Sequence, residues 1–167
     1  DDPRLVVFES DWDDTLREGG RILSLQTNRA LERCSGDWAV YLQADEVLHE
    51  EDYPAIRVAM QQHLDADIDG LTFRYFHFEG GYRYVNPFRY RRQVRVVRSG
   101  RGVRSAGDAC GFEKEGGSLS TADSGARIFH YGWARPPKKR VMQSWARGRT
   151  KGTCRAVRPA VAWPHRP

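Results

Sequence analysis

The sequence predicts an α/β domain with a β-rich second half, and three observations carry that expectation. Short apolar runs alternate with helix-spaced stretches between residues 5 and 64, the pattern of strands and covering helices. From Gly70 onward, aromatic and β-branched runs cluster without helical spacing. The apolar run Trp38 to Leu42 leads abruptly to Asp45-Glu46, and in open α/β sheets ligands sit outside the carboxyl ends of the strands.

The elements follow in order. Leu5 to Phe8 reads as a first strand. A helix is expected from about Arg21 to Cys34, with Ile22, Leu25, Ala30 and Leu31 on one face and Ser35-Gly36 as its stop. The strand Asp37 to Leu42 is expected to be central and to deliver Asp45 to a cleft. A second helix, about Glu50 to Leu64, carries Ile56, Met60 and Leu64 after an acidic first turn. Gly70 to Phe78 and Arg92 to Arg98 read as strands, and Ala126 to Phe129 as another that ends at His130.

The 167 residues suffice for one domain with a core, and the formal net charge is +5. That charge is local. Six Lys or Arg residues and no acids lie between Arg147 and Pro167, leaving 21 basic and 22 acidic residues elsewhere. Three cysteines without C-x-x-C spacing fit structural thiols and a reducing compartment. With no long apolar run and no secretory signal, a cytoplasmic protein without a transmembrane segment is expected. Residues 147–167 lose all periodicity and read as a basic Gly/Pro/Arg-rich tail, disordered or the product of a shifted reading frame.

Adjacent carboxylates after a buried strand repel one another and lose solvation, so Asp45-Glu46 reads as a cation site. The competing reading is a solvated turn before a helix. His130, placed after another apolar run, is a second ligand candidate because neutral imidazole suits transition cations. Asp108 lies in the small-residue segment Gly107-Asp-Ala-Cys-Gly111, which either admits a substrate or is an ordinary turn. Gly19-Gly20 before a helix gives close backbone approach, or an ordinary loop.

Four segments occur in order: Trp12-Asp-Asp-Thr-Leu-Arg17-Glu-Gly-Gly20, Leu42-Gln-Ala-Asp45-Glu-Val, Asp108-Ala-Cys-Gly-Phe112 and His130-Tyr-Gly-Trp133-Ala-Arg135-Pro-Pro. Together they resemble family 2 glycosyltransferases of GT-A fold, most closely a bacterial subgroup that shares these motifs. The resemblance covers about Asp2 to Gln143. It implies a partial GT-A (Rossmann-like) nucleotide-sugar transferase domain over residues 1–146, without the N-terminal strand–helix–strand unit that holds the nucleobase, and therefore a fragment inactive by itself.

The resemblance further implies transfer of a sugar from a nucleotide-sugar donor to a glycan or other hydroxyl acceptor, with inversion. It assigns Asp45 and His130 to a divalent cation (manganese or magnesium) and Asp108 to the catalytic base. Arg17, Gly20, Asn28 and Gln43 become donor-facing residues, and Glu46, Trp133 and Arg135 other cleft residues. Gln43 stands where the family motif has its first aspartate, so this position adds no charge to the cation site.

Two alternatives stand beside this reading. Asp11 and Asp13 after the first strand look like the nucleophile and acid/base of haloacid-dehalogenase-type phosphatases. A non-catalytic carbohydrate- or nucleic-acid-binding module is the second: the Arg-rich stretch from Arg89 to Arg104, with Phe88 and Tyr90, superficially resembles a nucleic-acid surface, or an anionic acceptor groove. Near-neutral charge outside the tail favours instead a solvated strand face balanced by acids, without a nucleic-acid partner.

Overall fold

A computed structural model describes residues 3–134 and 156–159. Its strands are β1 (Leu5–Phe8), β2 (Trp38–Val40), β3 (Glu46–Leu48), β4 (Gly70–Glu79), β5 (Arg92–Arg98), β6 (Val103–Ala106), β7 (Gly111–Lys114), β8 (Thr121–Trp133) and β9 (Ala156–Pro159). The helices are α1 (Arg21–Leu31) and α2 (Tyr53–Gln62). Five strands form one mixed sheet in the order β2-β5-β4-β8-β3, in which only the β4–β8 pair is parallel. The architecture is mixed α/β. Among the described residues no helix is long and apolar enough to cross a membrane.

Alternation along β2 and β5 divides the core in two. Trp38 and Val96 join Ile56, Ala59 and Met60 of α2, together with Leu71, Phe73, Ala126 and Ile128. Their chain neighbours Ala39 and Val97 join Val103, with Leu31 of α1 and Phe112 packed alongside. Successive strand residues point to opposite faces, so α1 and α2 cover opposite sides of the sheet. Helix α2 has two polar ties as well. The Trp38 indole donates to the Met60 carbonyl (3.1 Å). Asp52, just before α2, accepts from the Arg127 backbone N–H (2.9 Å) and its guanidinium (2.8 Å), fixing α2 on β8.

Several expectations need correction. The strand expected to be central is an edge strand of this sheet and is shorter, Trp38–Val40. The helix expected over Arg21 to Cys34 ends at Leu31. The one expected from Glu50 begins as a 3₁₀ turn, with α2 proper starting at Tyr53 because Pro54 suits a first helical turn and not an interior. β1 stands outside the main sheet, pairing antiparallel with β9, which falls within residues 147–167; the rest of that segment lies outside the described residues.

β8 is also much longer than Ala126 to Phe129. Asp123-Ser124-Gly125 forms a bulge inside the strand. Gly125 adopts φ +70°, and the Ser124 hydroxyl replaces lost ladder bonds by donating to the Thr72 carbonyl (2.8 Å) and accepting from the Ala126 N–H (3.1 Å).

This packing predicts an asymmetry between two phenylalanines. Phe73 is fully buried and Phe88 is 93 % exposed. Phe73→Ala is expected to lower stability by about 3–5 kcal/mol in urea unfolding, whereas Phe88→Ala stays within about 0.5 kcal/mol.

Candidate functional site

The face of β4 that starts with buried Leu71 and Phe73 turns polar at Tyr75 and His77, which are equally buried. Strand register then lines up a row. His130 of β8 lies opposite His77 of β4 on one side and opposite Glu46 of β3 on the other. Directly opposed residues share a face, so three titratable side chains from three strands converge. Asp45, one residue before β3, joins them: its carboxylate Oδ2 lies 3.5 Å from His130 Nε2.

Glu46 and Arg95 form the floor. Both side chains are wholly excluded from solvent, and two parallel bonds join them, Nε to Oε2 (2.9 Å) and Nη2 to Oε1 (2.8 Å). The remaining guanidinium nitrogen, Nη1, donates to the carbonyls of Val94 and Cys110, 3.0 Å each. Glu46 also accepts the Tyr75 hydroxyl (2.8 Å) and the Gln43 backbone N–H (3.2 Å). The guanidinium lies between the rings of Tyr41 and Tyr75, 5.2 and 5.1 Å from their centroids. Burial acts to raise the Glu46 pKa, but the Arg95 and Tyr75 bonds outweigh it and hold the carboxyl below its usual range. Burial pushes the Tyr75 hydroxyl well up, so it remains a donor.

A β-bulge aims Arg95. Leu71 pairs with Val96 and Thr72 with Val94, leaving Arg95 as an extra residue on its strand. The same network holds the loop between β6 and β7. Ala109 in that loop has φ +62°, an uncommon conformation for a residue with a Cβ. Its carbonyl accepts from the Tyr41 hydroxyl (3.3 Å) and the Gln43 amide (3.4 Å).

Two glycines leave room that a side chain would fill. A Cβ on Gly132 would stand 2.3 Å from Asp45 Oδ2. One on Gly20, whose φ is +72°, would stand 2.6 Å from Asp108 Cβ.

Hydrogen-bond chemistry fixes how His130 presents itself. His77 Nε2 is 2.9 Å from the Tyr90 carbonyl, which can only accept, so that nitrogen carries the proton. Burial lowers the His77 pKa and keeps the ring neutral, leaving Nδ1 as a lone pair. His77 Nδ1 lies 3.2 Å from His130 Nδ1, which must therefore donate. A neutral His130 then directs its Nε2 lone pair toward the Asp45 carboxylate.

Two acceptors 3.5 Å apart leave a place between them that a cation can fill. Cis ligands at about 2.1 Å from an octahedral cation stand about 3 Å apart, close to the 3.5 Å spacing of His130 and Asp45. Among the described residues no group of three or more His, Cys, Asp or Glu side chains could hold a metal by itself. A cation here would take its remaining ligands from water or from an anionic substrate.

The other expected site residues divide. Asp108 is exposed, caps the Cys110 N–H (3.1 Å), and belongs to the loop tied to Gln43. Gln43 does line the site, but its amide nitrogen is engaged by Tyr41 and Ala109. Glu46 is no solvated helix charge; it is the buried partner of Arg95. Arg17 pairs with Asp14 (2.6 Å) in the turn before α1. Asn28 ties α1 to β6, its amide gripping both backbone groups of Ser105 at 2.7 and 3.0 Å. Trp133 stacks beneath the Arg89 guanidinium, 4.2 Å from its ring centre. Arg135 lies outside the described residues.

Asp11 and Asp13 follow β1, which is exposed and apart from the main sheet, and the Asp13 carboxylate caps Thr15. That is not the buried central strand a phosphatase nucleophile requires. The solvated-face reading holds for Arg92, Arg101 and Arg104, which pair with Asp123, Asp67 and Glu113, and fails for Arg95. His77, Tyr75 and Arg95 were not singled out from the sequence as site residues, although an arginine inside Val94-Arg-Val-Val97 was a visible anomaly. Neither the family models nor the curated proteins compared with this chain give a match.

Arg95→Met alone or Glu46→Gln alone is expected to destabilise by about 3–5 kcal/mol, because each strands a buried partner, while the double replacement costs less than the sum. Because the Glu46 pKa is lowered on folding, its stabilisation is complete above the ordinary value of 4.5 and disappears as pH falls through the folded value. The Glu46 share of stability should therefore persist down to about pH 5.5 and be lost in more acid solution, where urea midpoints are expected to fall less steeply in the Glu46→Gln/Arg95→Met double variant than in the wild-type chain.

Proposed function

We propose that this chain is the cation-binding part of a GT-A-type glycosyltransferase resembling family 2, acting on a nucleoside-diphosphate sugar and an acceptor hydroxyl. The observation that supports the reading best is the meeting of Asp45 and His130, 85 residues apart in the chain, with Gly132 clearing the space beside them. Two protein ligands are too few for a resident structural metal. They suit a cation that arrives with, or is completed by, the diphosphate of a donor.

In this reading Asp45 and His130 hold the divalent cation, which when bound supplies Lewis-acid stabilisation of the departing diphosphate. Tyr131 N–H grips the Asp45 carbonyl (2.8 Å), so both ligands are set by the same β3–β8 ladder. Asp108, exposed on its constrained loop, takes the proton from the acceptor hydroxyl as that oxygen bonds to the anomeric carbon. The bond to the diphosphate breaks on the opposite side, which gives inversion. The Glu46–Arg95 pair touches no substrate. It holds the strand ends and the Asp108 loop at fixed separation, the preorganisation that aligned transfer requires.

Calorimetric titration of UDP, GDP and dTDP, with and without manganese, tests the cation site. Binding of at least one nucleotide is expected to require manganese and to weaken about tenfold or more in Asp45→Asn and His130→Ala. Gly132→Ala, which touches no ligand atom by replacement, should weaken it similarly by displacing the Asp45 carboxylate. Equal affinity with and without manganese for every nucleotide bound would remove the proposed role of Asp45 and His130.

A further inference from the structure

We propose that His77 is a positioning residue that fixes the tautomer of His130, keeping its proton on Nδ1 so that the Nε2 lone pair faces Asp45. The inference deepens the cation-site reading and rests on it only for its functional meaning. The tautomer itself follows from the hydrogen bonds.

The Tyr90 carbonyl fixes one end of this hydrogen-bonded row. A backbone carbonyl has no proton to give, so the Tyr90 carbonyl, 2.9 Å from His77 Nε2, makes that nitrogen the donor. With the proton on Nε2, neutral His77 offers only a lone pair at Nδ1. The Nδ1–Nδ1 contact of 3.2 Å is then a hydrogen bond only if His130 supplies the proton. Free neutral imidazole side chains favour the proton on Nε2. In His130 that tautomer would set two lone pairs against each other across 3.2 Å and point an N–H at Asp45.

Burial makes this arrangement hard to escape. His77 is 2 % and His130 7 % exposed, so water cannot readily replace the missing partner. The surroundings also hold the His77 ring in place. It packs edge-on against the Tyr90 ring at 4.4 Å and lies tilted by 33° against the Tyr75 ring at 5.4 Å, on a strand whose register pairs residue 77 with residue 130. A metal-bound histidine commonly donates its second N–H to a carbonyl or carboxylate. Here a second histidine takes that place, itself oriented by a carbonyl. His77 therefore acts through His130 and need not touch a cation or a substrate.

Long-range nitrogen–proton NMR of the imidazole side chains in the full chain reads the tautomer directly, without metal, donor or turnover. At about pH 8.5, two units above the ordinary histidine range, His130 is expected to show a protonated Nδ1 and a bare Nε2. In His77→Phe, the acceptor is gone and the His130 signals should shift toward the Nε2-protonated form. In His77→Asn, whose side-chain oxygen can stand near the position of Nδ1, the wild-type pattern should return. His130 protonated on Nε2 in the wild-type chain would overturn the proposal without needing any variant. An unchanged Nδ1-protonated pattern in a folded His77→Phe chain would also overturn it, because the tautomer would then be set by something else. Failure of manganese to bind would instead bear on the cation site and leave these NMR outcomes intact.

Discussion

Burying a glutamate and an arginine together removes both from water, and their mutual attraction repays that loss only when the geometry is good and the remaining polar atoms find partners. Glu46 and Arg95 meet both conditions. Two parallel bonds join them, Tyr75 and the Gln43 N–H satisfy the carboxylate, and the Val94 and Cys110 carbonyls take the last guanidinium nitrogen. The pair thereby connects β3, β4 and β5, the end of β2 and the loop before β7. A hydrophobic pair of similar volume would serve stability as well or better. The ion pair supplies direction: its fork geometry admits one relative placement of the strands, and that placement puts Asp45 beside His130.

The backbone is arranged around the same requirement. A bulge at Arg95 turns its side chain toward Glu46, a second bulge at Gly125 keeps β8 in register far enough to place His130 opposite His77, and Gly132 leaves space for the Asp45 carboxylate. Ala109 holds a left-handed conformation where glycine would be easier, with its carbonyl fixed by Tyr41 and Gln43. These departures are spread along the sheet: both bulges lie beside Leu71 to Arg74 of β4, and Gly132 lies past His77.

Much of this was legible in the sequence, for physical reasons. The helices α1 and α2 announced themselves through apolar spacing, and β4 and β5 through β-branched and aromatic runs. Asp45 and His130 stood out as polar groups following apolar runs. Edge position was not legible, because the order of strands depends on long-range pairing that local pattern does not encode. β3 escaped notice because three residues are too few for a periodic signal, and Glu46 then looked like a helix-leading acid. The bulge in β8 was hidden by Asp-Ser-Gly, whose side chains make turns and bulges alike. Arg95 was absorbed into a run of arginines whose other members are exposed or half-buried, so composition concealed the one that is fully buried.

The account stands or falls on whether the Glu46–Arg95 framework presents Asp45 and His130 to a single cation. Pulsed electron paramagnetic resonance of the chain loaded with manganese and a nucleoside diphosphate tests that directly. The account predicts nitrogen modulation from one directly coordinated imidazole, absent in His130→Ala and diminished when Arg95→Met loosens the floor. Manganese bound with no nitrogen coupling, or with coupling that survives in His130→Ala, would contradict it.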